Sequence, residues 1–443
     1  MSPDGQIISF GRLDELVSSF SQHLTKAGIT AGQCVSLATD NSVIRAGLAF
    51  ALLRLGADVA MPSPGAIANA GISVDAVIRF ADQTSDSDTR SIVFTQDWLI
   101  DTGATVPAAA QEGHLIFGTS GSTGLPKLIR FRADRLLHTL KHHVEGSGVS
   151  LGPVLVGIPE TTMFGFYLML RAFLRGHGIM WMRGDPATIL EQATRLGVVE
   201  FMVTPLAVAD LVTAVENGAP TPYVQRICLF GAITAQSLFA RVEAAFHAPM
   251  AIKLGTSETG QTSYGLIDGR SYVAGWSGRP ISTVEVRIDS DEPGGSGRMS
   301  VRESPRIGTE GYLGGEPMFD ADGWFDTGDV ARILPDGNLM IEGRADNLLN
   351  LGGSKFAAEL VEMLATGTLG VREAVAVLLP ETRNGTPELG VAVVADADFD
   401  PAALKSALAL KLRSRASIRI VSVAALPRLP SLKIDRRAAI GLF

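Results

Sequence analysis

Phe117-Gly118-Thr119-Ser120-Gly121-Ser122-Thr123-Gly124-Leu125-Pro126-Lys127 is the stretch on which the reading of this 443-residue chain turns. It follows an apolar run of strand character, His114 to Phe117, and gathers glycines, hydroxyls and one lysine into a loop. Glycines let successive backbone N–H groups point inward as a nest, hydroxyls add donors, and Lys127 supplies a point charge. Those are the parts of a polyphosphate cradle. It is not a Walker loop, in which Gly-Lys-Ser/Thr opens a helix, because Lys127 follows Pro126 and precedes the β-like Leu128-Ile129.

Upstream of the loop, Leu13, Leu16, Val17, Phe20 and Leu24 recur at helical spacing until Gly28. A strand is expected at Gln33 to Ala38, a helix at Val43 to Leu55 and a strand at Ala57 to Met61. Downstream, strands are expected at Pro153 to Ile158, Glu200 to Val203, Gln225 to Phe230 and Met250 to Leu254, with helical patterns at Leu206 to Val215 and Gln236 to Phe246. Short apolar strands alternating with helices predict an α/β protein of mostly parallel sheets covered by helices on both faces. After about Gly260 the pattern becomes β-rich. Strands are expected at Thr283 to Ile288 and Arg298 to Arg302, and a hairpin about Pro335-Asp336-Gly337. From about Gly343 a further α+β unit of about 100 residues is expected, with helices at Ala357 to Leu364 and Pro401 to Leu412.

Composition narrows the class. With 46% hydrophobic and 19% charged residues the chain can bury a sizeable core and is not disordered. A net charge of −8 argues against a nucleic-acid partner, which needs a basic surface. No signal peptide is visible, and the most apolar stretch, Ala46 to Met61, is interrupted by Arg54 and Asp58 and too short to span a bilayer. Cys34 and Cys228 are too few for a disulfide framework. A cytoplasmic enzyme with no membrane or nucleic-acid partner is the expectation, its oligomeric state open.

Four further segments stand in order behind the loop: Gly255-Thr256-Ser257-Glu258, Trp324-Phe325-Asp326-Thr327-Gly328-Asp329, Gly343-Arg344-Ala345-Asp346 and Pro430-Ser431-Leu432-Lys433-Ile434-Asp435-Arg436. Together with the loop they resemble the signatures of the acyl-adenylate-forming superfamily, which contains acyl- and aryl-CoA synthetases, the adenylation domains of nonribosomal peptide synthetases, and luciferases. Gly278-Arg279-Pro280 and Gly311-Tyr312-Leu313 match lesser landmarks. The chain departs from the pattern where Leu432 and Leu429 replace a glycine and a threonine, and where the first of two expected acids falls on Leu360, the second on Glu362.

The resemblance implies a large adenylation domain over 1–342, with mixed sheets and a β-barrel-like subdomain, and a small mobile domain over 343–443 hinged near Asp346. It implies ATP and Mg²⁺, a small-molecule carboxylic acid, and CoA or a carrier protein's phosphopantetheine as thiol acceptor. By that resemblance, Thr119 to Gly124 and Lys127 hold the β/γ-phosphates. Ser257 meets the α-phosphate, and Glu258 ligates Mg²⁺. Gly231, Ala232, Gly255 and Thr256 line the nucleotide, Asp329 accepts the ribose hydroxyls, and Arg344 touches ribose and α-phosphate. Lys433 bridges carboxylate and α-phosphate, and Gly352 and Gly353 build a thiol channel.

The acid pocket falls, by the same likeness, on Thr162, Phe164, Gly165 and Phe166 from one wall and Phe230, Leu254 and Thr259 from the other. Thr162 stands where many CoA synthetases carry a histidine. No Asp occurs between Pro153 and Gly184 to hold an ammonium, and Glu160 is a weak substitute, so an aryl or modest aliphatic acid is expected rather than an amino acid. His138 and His142 stand four apart on one predicted helix without a third ligand nearby, which favours surface histidines over a metal site. The stretch from Pro64 to His114 is brief for the family, implying a pocket less sheltered there or completed by a partner subunit. The rival readings are a stand-alone adenylation enzyme loading a carrier protein, an adenylate former with an amine acceptor, and a catalytically inactive nucleotide-binding protein.

Overall fold

The computed structural model describes residues 7–83, 89–100, 103, 106–119, 127–146, 152–267, 272–292, 294–304, 308–315, 317–351, 354–379, 388–412, 417–429 and 434–443. The chain divides into two compact units. One comprises Met1–Met202, Thr256–Gly260 and Glu303–Asp320; the other comprises Val203–Gly255, Gln261–Arg302 and Ala321–Phe443.

The first unit begins with helix α1 (Phe10–Lys26), whose Ser9 hydroxyl caps the Arg12 amide at 3.1 Å. Its stripe of Leu16, Val17, Phe20 and Leu24 is buried, as the spacing predicts. Then follow β1 (Cys34–Leu37), α2 (Ser42–Arg54), β2 (Asp58–Ala60), α3 (Pro64–Asn69), β3 (Ala76–Phe80) and β4 (Ser91–Phe94). Asn41 caps α2 by accepting from the Val43 and Ile44 amides. β5 (His114–Thr119) and β6 (Lys127–Arg132) complete this part of the chain. Among the described residues the resulting seven-stranded sheet runs Thr309–Tyr312, β6, β5, β2, β1, β3, β4. β1 pairs in parallel with both β2 and β3, and β2 with β5, while β5 and β6 form an antiparallel hairpin. The sequence reading missed α3, β3 and β4, short elements set among polar loops. Their apolar residues Ala76, Val77, Ile78, Ile92 and Phe94 are buried and supply the far edge of the sheet.

The same unit carries α4 (Ala133–Gly146), β7 (Val154–Val156), α5 (Met163–Leu174), β8 (Ile179–Trp181), α6 (Pro186–Arg195) and β9 (Glu200–Val203). β7 pairs in parallel with β8 and β9. The unit is thus α/β, with parallel strands buried on both faces and helices between them.

In the second unit, Arg226–Phe230 and Met250–Thr256 pair in parallel, and helices Pro205–Glu216 and Gln236–Phe246 intervene in the chain. A four-stranded sheet follows among the described residues, in the order Val284–Asp289, Gly297–Glu303, Phe325–Ile333, Leu339–Arg344. Its last two strands are the antiparallel hairpin expected about Pro335-Asp336-Gly337, longer than the periodicity indicated. The end of the chain forms the strands Val371–Leu379, Glu388–Ala395 and Ser417–Ser422 with helices Ala358–Thr366 and Pro401–Leu412. Leu389, Val391, Val393, Leu404 and Leu408 form its core. Among the described residues no helix is long and apolar enough to cross a membrane.

Candidate active site

The register of β5 on β6 places Thr119 opposite Lys127, so the loop 120–126 is the connection of a hairpin. Ser120, Gly121, Ser122, Thr123 and Gly124 lie outside the described residues, as do Gly352, Gly353 and Lys433. The ends of the loop are clear: Thr119 donates its hydroxyl to the Lys127 carbonyl at 3.4 Å, and Lys127 is exposed.

What the sequence did not reveal is the neighbour of Lys127. The strand Thr309–Tyr312 pairs antiparallel with β6, with Tyr312 opposite Ile129, and the Leu313 amide donates to Leu128 at 2.8 Å. This pairing sets the Lys127 ammonium 4.9 Å from the centre of the Tyr312 ring, a cation–π contact. The Tyr312 hydroxyl in turn donates to Glu258 Oε1 at 2.9 Å. Burial and then the Glu258 charge push the Tyr312 phenol well above its ordinary range, so it remains a proton donor at any physiological pH. One tyrosine therefore links the loop lysine to the acidic residue of the Gly255-Thr256-Ser257-Glu258 segment. That segment is fixed locally. Thr256 Oγ1 accepts from the Thr259 amide at 3.2 Å and shares a 3.0 Å hydrogen bond with its hydroxyl, which leaves Thr259 buried and Ser257 half-buried at the turn.

Asp329 and Arg344 face each other across the antiparallel pair in the second unit. Arg344 Nη1 donates to Asp329 Oδ1 at 3.1 Å and to the Thr327 carbonyl at 2.6 Å, while Nε donates to Asp346 Oδ1 at 3.2 Å. The Asp329 amide donates to the Thr327 hydroxyl at 3.1 Å. Gly328 has φ +71°, and a Cβ there would stand 2.6 Å from Arg344 Nη2, so only glycine suits this turn. Asp329 is 9% exposed; burial raises its pKa against the opposing pull of Arg344. A buried carboxylate with one cationic partner retains lone pairs for hydroxyl donors. Arg344 also donates its amide to Glu359 at 3.1 Å, and Glu359 accepts from Arg436 at 2.9 Å. Arg436 reaches Glu362 as well, which ties the segment after Lys433 to this cluster.

The residues expected at the acid pocket differ in exposure. Thr162 caps α5, accepting from the Gly165 amide at 3.1 Å, and is exposed; Phe164 is half-buried and stacks on Tyr167. A Cβ on Gly165 would meet the Pro159 carbonyl at 2.0 Å, so the close approach of that loop needs glycine. Phe166 is 1% exposed, with the rings of Phe50 and Phe117 against it: the chain's own core occupies its faces. In the second unit Phe230 is buried, Leu254 half-buried, and Gly231 and Ala232 exposed. Glu160 is 1% exposed and bound by Arg45 and by Arg183 Nη2 at 3.2 Å. Two guanidiniums already neutralise it, so it offers no free carboxylate to an ammonium.

Other candidate chemistry is quiet. Cys34 and Cys228 are free thiols; burial, aided by Asp58 and Asp75, pushes Cys34 up to about 12, which leaves almost no thiolate at neutral pH. His138 is exposed on α4, and the His142 side chain lies outside the described residues. Among the described residues no three His, Cys, Asp or Glu side chains cluster as a metal site. Glu258 alone suits a hard cation that takes one carboxylate and completes its shell with substrate phosphates and water, which is how Mg²⁺ is commonly held.

Comparison with known proteins places this arrangement. Residues 66–313, more than half of the chain, match the AMP-binding enzyme family, and the chain belongs to it. This is the acyl-adenylate-forming group whose signatures the motifs resemble. The chain is 30% identical over 349 residues to the medium/long-chain-fatty-acid–[acyl-carrier-protein] ligase FadD10 of Mycobacterium tuberculosis, an alignment covering 72% of this chain and 64% of that protein. It is 27% identical over 494 residues to the 4-chlorobenzoate–CoA ligase of an Arthrobacter species, covering 98% and 90% of the two chains. The amide bond synthetase McbA of Marinactinospora thermotolerans shares the fold, with a TM-score of 0.83, 22% identity, and coverage of 98% of this chain and 95% of that one.

Proposed function

We propose that this protein activates a small carboxylic acid with ATP and passes the acyl group to a thiol. The observation that carries the reading is the line Lys127–Tyr312–Glu258, a phosphate-type lysine and a metal-type carboxylate held by one aromatic residue. In the first half-reaction a carboxylate oxygen attacks the α-phosphorus of ATP, the bond to the β-phosphate breaks, and pyrophosphate leaves. In the second, a thiolate attacks the acyl-adenylate carbonyl and AMP leaves. Both anions of the first step repel, and cations must offset that repulsion. Mg²⁺, when bound, would neutralise phosphate charge beside Glu258. Lys127 and Thr119 to Gly124 hold the departing phosphates, and Ser257 meets the α-phosphate. Asp329 and Arg344 fix the ribose. Lys433 stabilises the charge built on the α-phosphate.

An aryl or modest aliphatic acid is the substrate favoured, because Glu160 is already neutralised and no other carboxylate stands in that loop for an amino acid's ammonium. The name of the Arthrobacter relative supports an aryl acid and CoA. The net charge of −8 also favours CoA over an acidic carrier protein. Loading of a carrier-protein phosphopantetheine is the second reading, supported by the name of the mycobacterial relative. In either case residues 343–443 act as a small domain that turns about Asp346 between half-reactions, withdrawing Lys433 and presenting Gly352 and Gly353 to the thiol.

Two substitutions test the roles. Lys433→Ala is expected to abolish ATP–pyrophosphate exchange yet spare thioester formation from a supplied acyl-adenylate; equal loss of both would refute the assignment. Tyr312→Phe keeps the ring under Lys127 and removes the donor to Glu258. A hydrogen bond to a charged group contributes about 1.5–3 kcal/mol. Initial rates against Mg²⁺ concentration should therefore show an apparent Mg²⁺ constant shifted by roughly tenfold or more, with thermal unfolding lowered by no more than that one hydrogen bond contributes. An unshifted constant would separate Tyr312 from the metal.

A further inference from the structure

The strand Thr309–Tyr312 lies at the edge of the first unit's sheet and changes register where it pairs with β6. Thr309 stands opposite Phe131, Gly311 opposite Arg130 and Tyr312 opposite Ile129, so Glu310 is a residue in excess, a β-bulge. Side chains alternate between the faces of a strand, which puts Lys127, Ile129 and Phe131 of β6 on one face and Leu128, Arg130 and Arg132 on the other. Regular pairing from Thr309 would set Tyr312 opposite Leu128, on the face away from Lys127, since a slip of one residue turns every side chain over. The bulge returns Tyr312 to the face of Lys127, where its ring and hydroxyl make the contacts described above.

The bulged residue is itself held. Glu310 Oε2 accepts from Arg130 Nε at 2.7 Å and stands 3.4 Å from His114 Nε2. β5 brings His114 opposite Arg132, hence to the Arg130 face. The other ring nitrogen of His114 stands 2.8 Å from Asp58 Oδ1, which also accepts from the His114 amide at 2.9 Å, so the clasp is anchored as far as β2. The turn at Gly311 is local: its amide donates to the Thr309 hydroxyl at 3.3 Å, and its φ of +111° favours glycine. The Glu310 carboxylate is thus bound on one face of the sheet while Tyr312 makes its contacts on the other.

We propose that Glu310 is a positioning residue: clasped by Arg130 and His114, it fixes the bulge that aims Tyr312 at Lys127 and Glu258. Its part in the reaction is played through Tyr312. The proposal rests on the adenylation reading of the line Lys127–Tyr312–Glu258.

Glu310→Ala removes the clasp. In acid-dependent ATP–pyrophosphate exchange it should shift the apparent Mg²⁺ constant in the same direction as Tyr312→Phe and by a comparable factor, roughly tenfold. Glu310→Gln keeps an oxygen for Arg130 Nε and should stay within about threefold of the parent. Adding Tyr312→Phe to Glu310→Ala should shift the constant no further than Tyr312→Phe alone, the non-additivity of residues that act through one contact. Amide hydrogen exchange of the ligand-free full chain is the second readout. In Glu310→Ala, protection should fall across 309–313, where the Leu313 amide bonds to Leu128, with α1 unchanged. An unshifted Mg²⁺ constant, shifts that multiply in the double variant, a Gln variant as impaired as the Ala one, or unchanged protection at 309–313 would each overturn the proposal. A parent that performs no pyrophosphate exchange with any acid would instead overturn the adenylation reading, and the hydrogen-exchange comparison would still decide whether Glu310 holds the register.

Discussion

Glu258→Gln is expected to lower acid-dependent ATP–pyrophosphate exchange by about 10²–10³-fold, the effect of removing one preorganised charged group from a phosphoryl-transfer site. The amide keeps the size of the side chain and can still accept from Tyr312 through its carbonyl, so the 2.9 Å contact survives. What disappears is the negative charge that a hard dication needs. Thermal unfolding should stay within about 0.5 kcal/mol of the parent, since Glu258 is only half-buried and pairs with no cation in the first unit's described contacts. An exchange rate within threefold of the parent, at limiting Mg²⁺, would remove Glu258 from the metal site.

The second large effect is on stability. Glu160→Ala should destabilise the folded chain by about 3–5 kcal/mol, because it strands the Arg45 guanidinium in the interior. Arg183, with its side chain 46% exposed, can turn to solvent and pays little for the loss. Arg45, 8% exposed, cannot. Replacing both partners, as Arg45→Leu with Glu160→Leu, should recover most of the loss, since a well-packed apolar pair often matches a buried ion pair. Chemical denaturation with an unchanged slope would measure both. A single variant as stable as the parent would mean that solvent reaches Arg45 and that the pair is not buried in solution.

How much of this was legible from sequence follows from the range of each interaction. The β5 strand, the loop behind it and Lys127 form one contiguous string, and glycines with hydroxyls in that order leave few other readings. Asp329 sits two residues from the threonine that orders its turn, so its motif is local too. Tyr312 was visible only as a landmark. Its part depends on a strand at Thr309–Tyr312 pairing with β6 far earlier in the chain, which no periodicity announces. The Arg45–Glu160 pair joins residues 115 apart in sequence, and its partners read singly as an arginine within an apolar helix and a loop acid. Phe166 was expected at the acid pocket by the family resemblance. On α5 it packs against Phe50 and Phe117, contacts between residues far apart in the chain that the sequence does not show. β3 and β4 escaped because each is short and flanked by polar residues, so burial rather than alternation defines them.

The central claim is acid activation by ATP, and isotope exchange between pyrophosphate and ATP measures it directly. The account predicts no exchange without acid and clear exchange with at least one aryl or short aliphatic monocarboxylic acid, lost in Lys433→Ala. Binding of ATP with no exchange across such a panel would contradict it and leave a nucleotide-binding protein without adenylation chemistry.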